Sequence, residues 1–172
     1  MADTLALDIK ASIQWLFEES LDLSTLVDSA KLEYLAGLSD GTGAAQADKI
    51  WHDSRSLAAS SADALDLTSL TQSIHGSTVT IAFAKIKAIL IHNLATTPGE
   101  DLLLDSSVTN GILTPFNGSA TSKVEVPADS PLLLVNRQSG WAVTAGTGDV
   151  LRIVNDGVGS IDYKIVLVGT SA

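Results

Sequence analysis

Residues 5 to 17 alternate strictly between apolar and polar positions. Leu5, Leu7, Ile9, Ala11, Ile13, Trp15 and Phe17 fall on one side, and Asp8, Lys10, Ser12 and Gln14 on the other. A period of two belongs to a half-buried strand; a helix would not gather those polar residues on one face. Leu16 interrupts the polar side and marks a bend or a contact. Ordinary strands run to about five or six residues. Part of this long one is therefore expected to leave its own sandwich and to pair or pack against a neighbouring subunit. Trp15, on the apolar side, is expected in the core.

Glu18 to Ala30 is acidic and irregular, and reads as a connection with one short helical turn. Leu32, Tyr34, Ala36 and Leu38 alternate again as a strand, closed by the loop Ser39-Asp40-Gly41-Thr42-Gly43. Ile50 to Leu57 is a strand, followed by a Ser/Ala-rich turn at 58–62 and a short partner with Leu65 and Leu67. Leu70 to Gly76 predicts a helical turn before Val79 and Ile81. Ala84 to Leu94 is the best candidate for a buried strand. Ile86, Ala88, Leu90 and His92 form one side of it, and Lys85, Lys87, Ile89 and Ile91 the other.

Beyond Leu94 short strands recur about every ten residues, the spacing of a sandwich or barrel. They are predicted at Leu102–Leu104, Gly111–Phe116, Lys123–Val126, Leu132–Val135, Gly140–Thr144, Val150–Val154 and Ile161–Val168. Turn residues separate them, most clearly Asn155-Asp156-Gly157. The last run sets Ile161, Tyr163, Ile165 and Leu167 against Asp162, Lys164, Val166 and Val168. The expected architecture is all-β: one antiparallel β-sandwich spanning residues 1–172, jelly-roll-like, with at most short helical turns. An immunoglobulin-like sandwich is the alternative, without that fold's Cys–Trp–Cys signature.

Composition narrows the function more than the fold. The chain has 172 residues, 45% of them apolar and 17% charged, with a net charge of −10. That is enough for one domain with a real core. No basic stripe exists to neutralise phosphates, so neither nucleic acid nor an anionic membrane is an expected partner. With no cysteine, disulfides, thiolate catalysis and Cys-based metal sites are excluded. Met1-Ala2-Asp3-Thr4 lacks a basic and then apolar leader pattern, so a secretory signal is not expected. The apolar runs Leu132–Val135 and Ile165–Val168 are too short to span a bilayer.

The chemical inventory is sparse. His52, His75 and His92 are spaced too far apart to share one element as metal ligands, and structural roles are expected for them. His52 neighbours Asp53, but no Gly-x-Ser-x-Gly elbow accompanies the pair. Gly41-Thr42-Gly43 and Gly146-Thr147-Gly148 read as turns, since neither continues into a phosphate loop. Asp101, Asp105, Asp149, Asp156 and Asp162 lack the spacing of a calcium loop. Asn117-Gly118-Ser119 is a turn. Trp51 and Trp141 join Trp15 as large aromatics, with Trp141 next to a turn and the less certain of burial.

Three blocks together resemble small virion structural proteins of tailed bacteriophages and prophages. The first is Ile50-Trp51-His52-Asp53-Ser54-Arg55-Ser56-Leu57-Ala58-Ala59, followed by Asp63-Ala64-Leu65-Asp66-Leu67. The second is Phe83-Ala84-Lys85-Ile86-Lys87-Ala88-Ile89. The third runs from Gly140-Trp141-Ala142-Val143 to Val154-Asn155, with the terminal Tyr163-Lys164-Ile165-Val166-Leu167-Val168-Gly169. The resemblance covers most of the chain from Lys49 onward. It implies a jelly-roll-like fold and a capsid decoration, or cement, protein on the outer capsid surface. It further implies a homotrimer, the major capsid protein as partner, and synthesis in the host cytoplasm. It carries over no catalytic, cofactor-binding or metal-binding residue, so none is expected, and the protein is not expected to be an enzyme. The alternative is a tail, baseplate or fibre module that contacts the host surface and binds carbohydrate through aromatics such as Trp141. A hydrolase built on His52 and Asp53 is the third class.

Overall fold

The computed structural model describes residues 4–74 and 76–172. Met1 to Asp3, where the leader pattern was sought, and His75 lie outside the described residues. Two long strands open the chain, β1 (Leu7–Ser20) and β2 (Thr25–Asp40), with β3 (Gln46–Ala47) lying parallel to the end of β2. Then come β4 (Lys49–Leu57), β5 (Ala62–Asp66), β6 (Leu70–Ile74) and β7 (Ser77–Ile81). They are followed by β8 (Lys85–Asn93), β9 (Leu102–Asp105), β10 (Lys123–Val126) and β11 (Pro131–Val135). The chain closes with β12 (Trp141–Ala142), β13 (Val150–Asn155) and β14 (Ile161–Thr170).

The fold is an all-β antiparallel sandwich. One sheet has the order β11–β8–β14–β4, with β12 also paired to β8; the other has the order β10–β9–β13–β5. The strands pair in a nested way: β4 with β14, β5 with β13, β8 with β11, and β9 with β10. Alternation explains the core. Ile161, Tyr163, Ile165 and Leu167 of β14 are all buried against Leu102, Leu104, Leu151 and Ile153 of the opposite sheet. Removing such side chains from water is the main stabilising contribution, about 1.5–3 kcal/mol for each large one.

Two buried asparagines hold the corners. Asn155 donates to the carbonyls of Leu57, Ala58 and Gly159 and accepts from Gly157 N–H. Asn93 donates to the carbonyls of Glu100 and Val126 and accepts from Ala95 N–H. Each satisfies backbone groups that would otherwise be stranded in the interior.

Four expectations need correction. Glu18–Ala30 is not an irregular connection: β1 continues to Ser20, turns through Leu21–Ser24, and β2 returns in register, from Ser20 opposite Thr25 to Leu7 opposite Leu38. Leu70–Gly76 is no helical turn; β6 pairs with β7 from Leu70–Ile81 to Ile74–Ser77. Gly111–Phe116 is no strand. Pro115 fixes φ inside a 3-10 turn at Thr114–Phe116, and Asn117 ends it at φ 54°.

The fourth concerns the faces of β8. Val168 of β14 pairs with Ala88, but Gly169 pairs with Ile86, which leaves Lys87 as the extra residue of a β-bulge. The bulge reverses the alternation. Ile86 before it and Ile89 and Ile91 after it all reach the core, whereas Leu90 is turned outward. Gly169 is required at this point: a Cβ there would sit 2.0 Å from the Lys85 carbonyl oxygen.

Candidate functional site

The feature that sets this molecule apart is the β1–β2 ribbon. At its base Ile9, Ala36 and Leu38 are buried, with Ile9 and Leu38 packing among Ala88 and Val168 on the outer face of the larger sheet. From Lys10 through Leu35 every residue is exposed. At about 3.3 Å per residue the free part of β1 reaches roughly 35 Å.

Cross-strand pairing defines the two faces of this arm. Opposed residues share a face. Ala11 and Tyr34, Ile13 and Leu32, Trp15 and Ala30, and Phe17 and Asp28 therefore continue the face that Ile9 and Ala36 bury at the base. Ile13 and Leu32 are each 70% exposed and Phe17 65%. The opposite face carries Lys10, Ser12, Glu33, Gln14 and Lys31, joined by ion pairs of Glu33 with Lys10 and Lys31. Trp15 is thus not in the core. It is 43% exposed, and its indole N–H donates to Asp28 Oδ2 at 3.3 Å.

Beside the base of the arm, the outer face of the larger sheet is also apolar. Leu90, Leu133 and Val166 line a crevice of about 340 Å³ together with Ile9 and Lys10. Leu90 is 38% exposed. The sequence offered a signal for this surface: Ala88–Ile91 of β8 and Ile165–Val168 of β14 are unbroken apolar runs, as in a strand covered on both faces.

The residues considered for chemistry are dispersed. His52 and Asp53 are adjacent on β4, so they project to opposite faces and cannot act as a dyad. His52 is exposed, with Nε2 2.7 Å from Gln72 Nε2, and Asp53 accepts from Arg55 at 2.9 Å. His92 lies on the outer face of β8 opposite Pro131 and Lys164. Among the described residues, no three His, Cys, Asp or Glu side chains form a group that could hold a metal ion. Asp105 and Asp149 are buried, and Asp105 accepts from Ser107 and Arg152. Asp101 accepts from Ala128 N–H. Trp51 is buried and donates to the Thr71 carbonyl, while Trp141 is half-buried against the core. No helix among the described residues is long and apolar enough to cross a membrane.

No family model, curated protein or solved structure matches this chain.

Two sets of charged side chains, the partly buried Arg55–Asp63 pair and the buried Lys87, are structural ties that the sequence did not single out. Arg55 grips Asp63 through Nε at 2.6 Å and Nη2 at 3.2 Å, and Tyr163 donates its hydroxyl to the same carboxylate. Burial works to raise the Asp63 carboxyl, but the Arg55 and Tyr163 hydrogen bonds outweigh it and hold it below the usual carboxylate range. Burial, and then Asp63, push the Tyr163 hydroxyl far above its ordinary value. Lys87 is only 1% exposed and donates from Nζ to the Gln138 carbonyl at 2.7 Å. Burial, with Lys85 adding repulsion, lowers it.

Proposed function

We propose that this protein is a structural component of a tailed-phage virion: a decoration, or cement, protein that binds the outer capsid surface over junctions between major capsid subunits. The observation that carries the reading is the arm. On one face of it Ile13, Trp15, Phe17, Leu26, Leu32 and Tyr34 together expose about 700 Å², at roughly 200 Å² for each fully exposed side chain. An ordinary monomer shows a largest apolar patch of about 300–600 Å². A surface of this size is built for assembly.

The nested pairing of β4–β14, β5–β13, β8–β11 and β9–β10 supports the jelly-roll-like form that the sequence resemblance implies. A cement protein stabilises a shell by adding contact area wherever subunits meet, and every such contact must be lost before the shell opens. In this reading the protein acts as a homotrimer with closed symmetry, made in the host cytoplasm and carried on the virion. The tail or fibre reading has less behind it, because Trp141 is half-buried and packed on the core instead of presented to a saccharide.

The test is a reconstruction of virions from the phage that encodes this chain, with the protein identified by mass spectrometry. Density for the sandwich over capsid-subunit junctions on the head is the expected result. Density confined to the tail, or virions without the protein, would overturn the reading.

A further inference from the structure

We infer that the apolar face of the β1–β2 arm is the surface through which copies of this chain join, each arm packing against a second copy. The inference rests on the reading of the protein as a self-assembling one, and it names the surface that does the joining.

Three observations carry it. The first is area. Ile13, Trp15, Phe17, Leu26, Leu32 and Tyr34 share one face of the arm, and together expose about 700 Å² at roughly 200 Å² per fully exposed side chain. A stable interface takes about 800 Å² from each partner, so this face alone supplies most of one side.

The second is continuity. The same face, one turn of the pleat further down, already packs Ile9 and Leu38 on the outer face of the larger sheet. That sheet face continues past the contact as the crevice of Leu90, Leu133 and Val166. One molecule therefore presents both an apolar ribbon and an apolar sheet face of the kind its own ribbon already covers. A second copy provides the complement to each, and a cyclic arrangement closes without leaving either open.

The third is charge. The chain carries a net charge of −10, so copies repel at long range. On the arm's apolar face from Leu7 to Glu19 and from Leu26 to Leu38, Asp28 and Glu19 are the only ionised side chains, both toward the tip. The other charges of β1 and of Leu26–Leu38 are gathered on the opposite face, where Glu33 pairs with both Lys10 and Lys31. Copies approaching face to face thus meet where repulsion is least. A two-stranded ribbon is also marginal by itself in water, and burial against a second copy supplies what this one lacks.

The experiment is sedimentation velocity on the full chain across a range of concentrations, comparing the wild type with Ile13→Lys/Leu32→Lys. This pair is directly opposed on the apolar face. Ser12→Lys, on the opposite face, is the control. Expected are an oligomeric wild type and control, and a double variant whose association is weaker by at least about 100-fold, with its circular dichroism spectrum unchanged. The chain has no cysteine, so Ile13→Cys adds a single thiol without introducing charge. A maleimide should label it slowly at concentrations where copies are joined and quickly on dilution. If the double variant does not fold, this protection decides: its presence supports the inference, and a thiol equally reactive at both concentrations overturns it. A wild type that is monomeric throughout would sink the self-assembling reading and the inference together. An oligomer that survives the double substitution would sink the inference alone.

Discussion

Tyr163 donates its hydroxyl to Asp63 Oδ2 at 2.7 Å, so an inner strand of one sheet is tied to the edge strand of the other. The same carboxylate takes Arg55 from β4. Asp63 is partly open to water, whereas Tyr163 is wholly buried. Tyr163→Phe keeps the packing and removes one hydrogen bond to an ionised group, so it should cost about 2 kcal/mol. The midpoint of urea unfolding at unchanged slope measures it.

Acid should weaken the fold through Asp63 and Asp105. Burial works against ionisation of both, but Arg55 and Tyr163 on one, and Ser107 on the other, hold them below the usual carboxylate range. A lowered carboxyl contributes stability above its unfolded value of about 3.9 and loses it as pH falls through the folded value. Urea midpoints should stay level near neutrality and drop below about pH 4. Asp63→Asn should be less stable at pH 7 and show a shallower acid decline. An equally steep decline in that variant would exclude Asp63 as a contributor.

Lys87 behaves in the opposite sense. Its buried ammonium has a carbonyl partner in Gln138, and among the described residues it forms no salt bridge to a carboxylate. The unfolded chain holds this proton more tightly than the folded one. Stability from this group should therefore rise as pH climbs from the lowered value toward about 10.4. Lys87→Met fills the same space without the charge and should match or exceed the wild type by up to about 1 kcal/mol at pH 7. Thermal melts at pH 7 and pH 10 check both the gain and the loss of the alkaline rise.

Gly169→Ala should be among the most damaging single-methyl changes. The new Cβ would meet the Lys85 carbonyl at 2.0 Å and the Phe83 ring at 2.8 Å, and a backbone carbonyl inside a sheet has little room to yield. A cost of about 3 kcal/mol follows, which for a domain of this size lowers Tm by roughly 6–12 °C. Calorimetry tests it.

The arm should be dispensable for the sandwich. Replacing residues 11–34 by Asn-Gly joins Lys10 to Leu35, which already face each other across the ribbon, through a tight hairpin turn. Since residues 10–35 are all exposed, Tm should fall by no more than about 3 °C from that of the wild type at a dilution where its copies are dissociated. A large loss would show that the arm supports the core.

The alternating strands were legible where one face meets a core and the other meets water. β14 is the clearest case: Ile161, Tyr163, Ile165 and Leu167 stand buried as the pattern predicts. Trp15 was misplaced because alternation reports an apolar face, not what covers it. The end of β2 was legible in the alternation of Leu32, Tyr34, Ala36 and Leu38, but its start was not, because Leu26 and Val27 are neighbours on opposite faces and both exposed, so no period survives there. The ribbon's turn at Leu21–Ser24 contains neither Gly nor Pro to announce it. In β8 the bulge at Lys87 shifts the period by one residue, and a shift of one exchanges the two faces. The arm as a site was half-visible: the length of the first strand pointed to a neighbour, but the strand it pairs with is its own β2.

The nested pairing also sets a timetable for the growing chain. β14 lies between β8 and β4, and the ribosome reaches it after every other strand described. Until Ile161–Thr170 emerges, β4 and β8 have no shared neighbour and the larger sheet cannot close. Pairings this distant in sequence are slow to form and leave apolar surface exposed meanwhile. The arm, whose strands are close in sequence, can pair early. A nascent chain would then carry its sticky ribbon before it has a folded body to attach it to, which makes chaperones a natural companion of its synthesis.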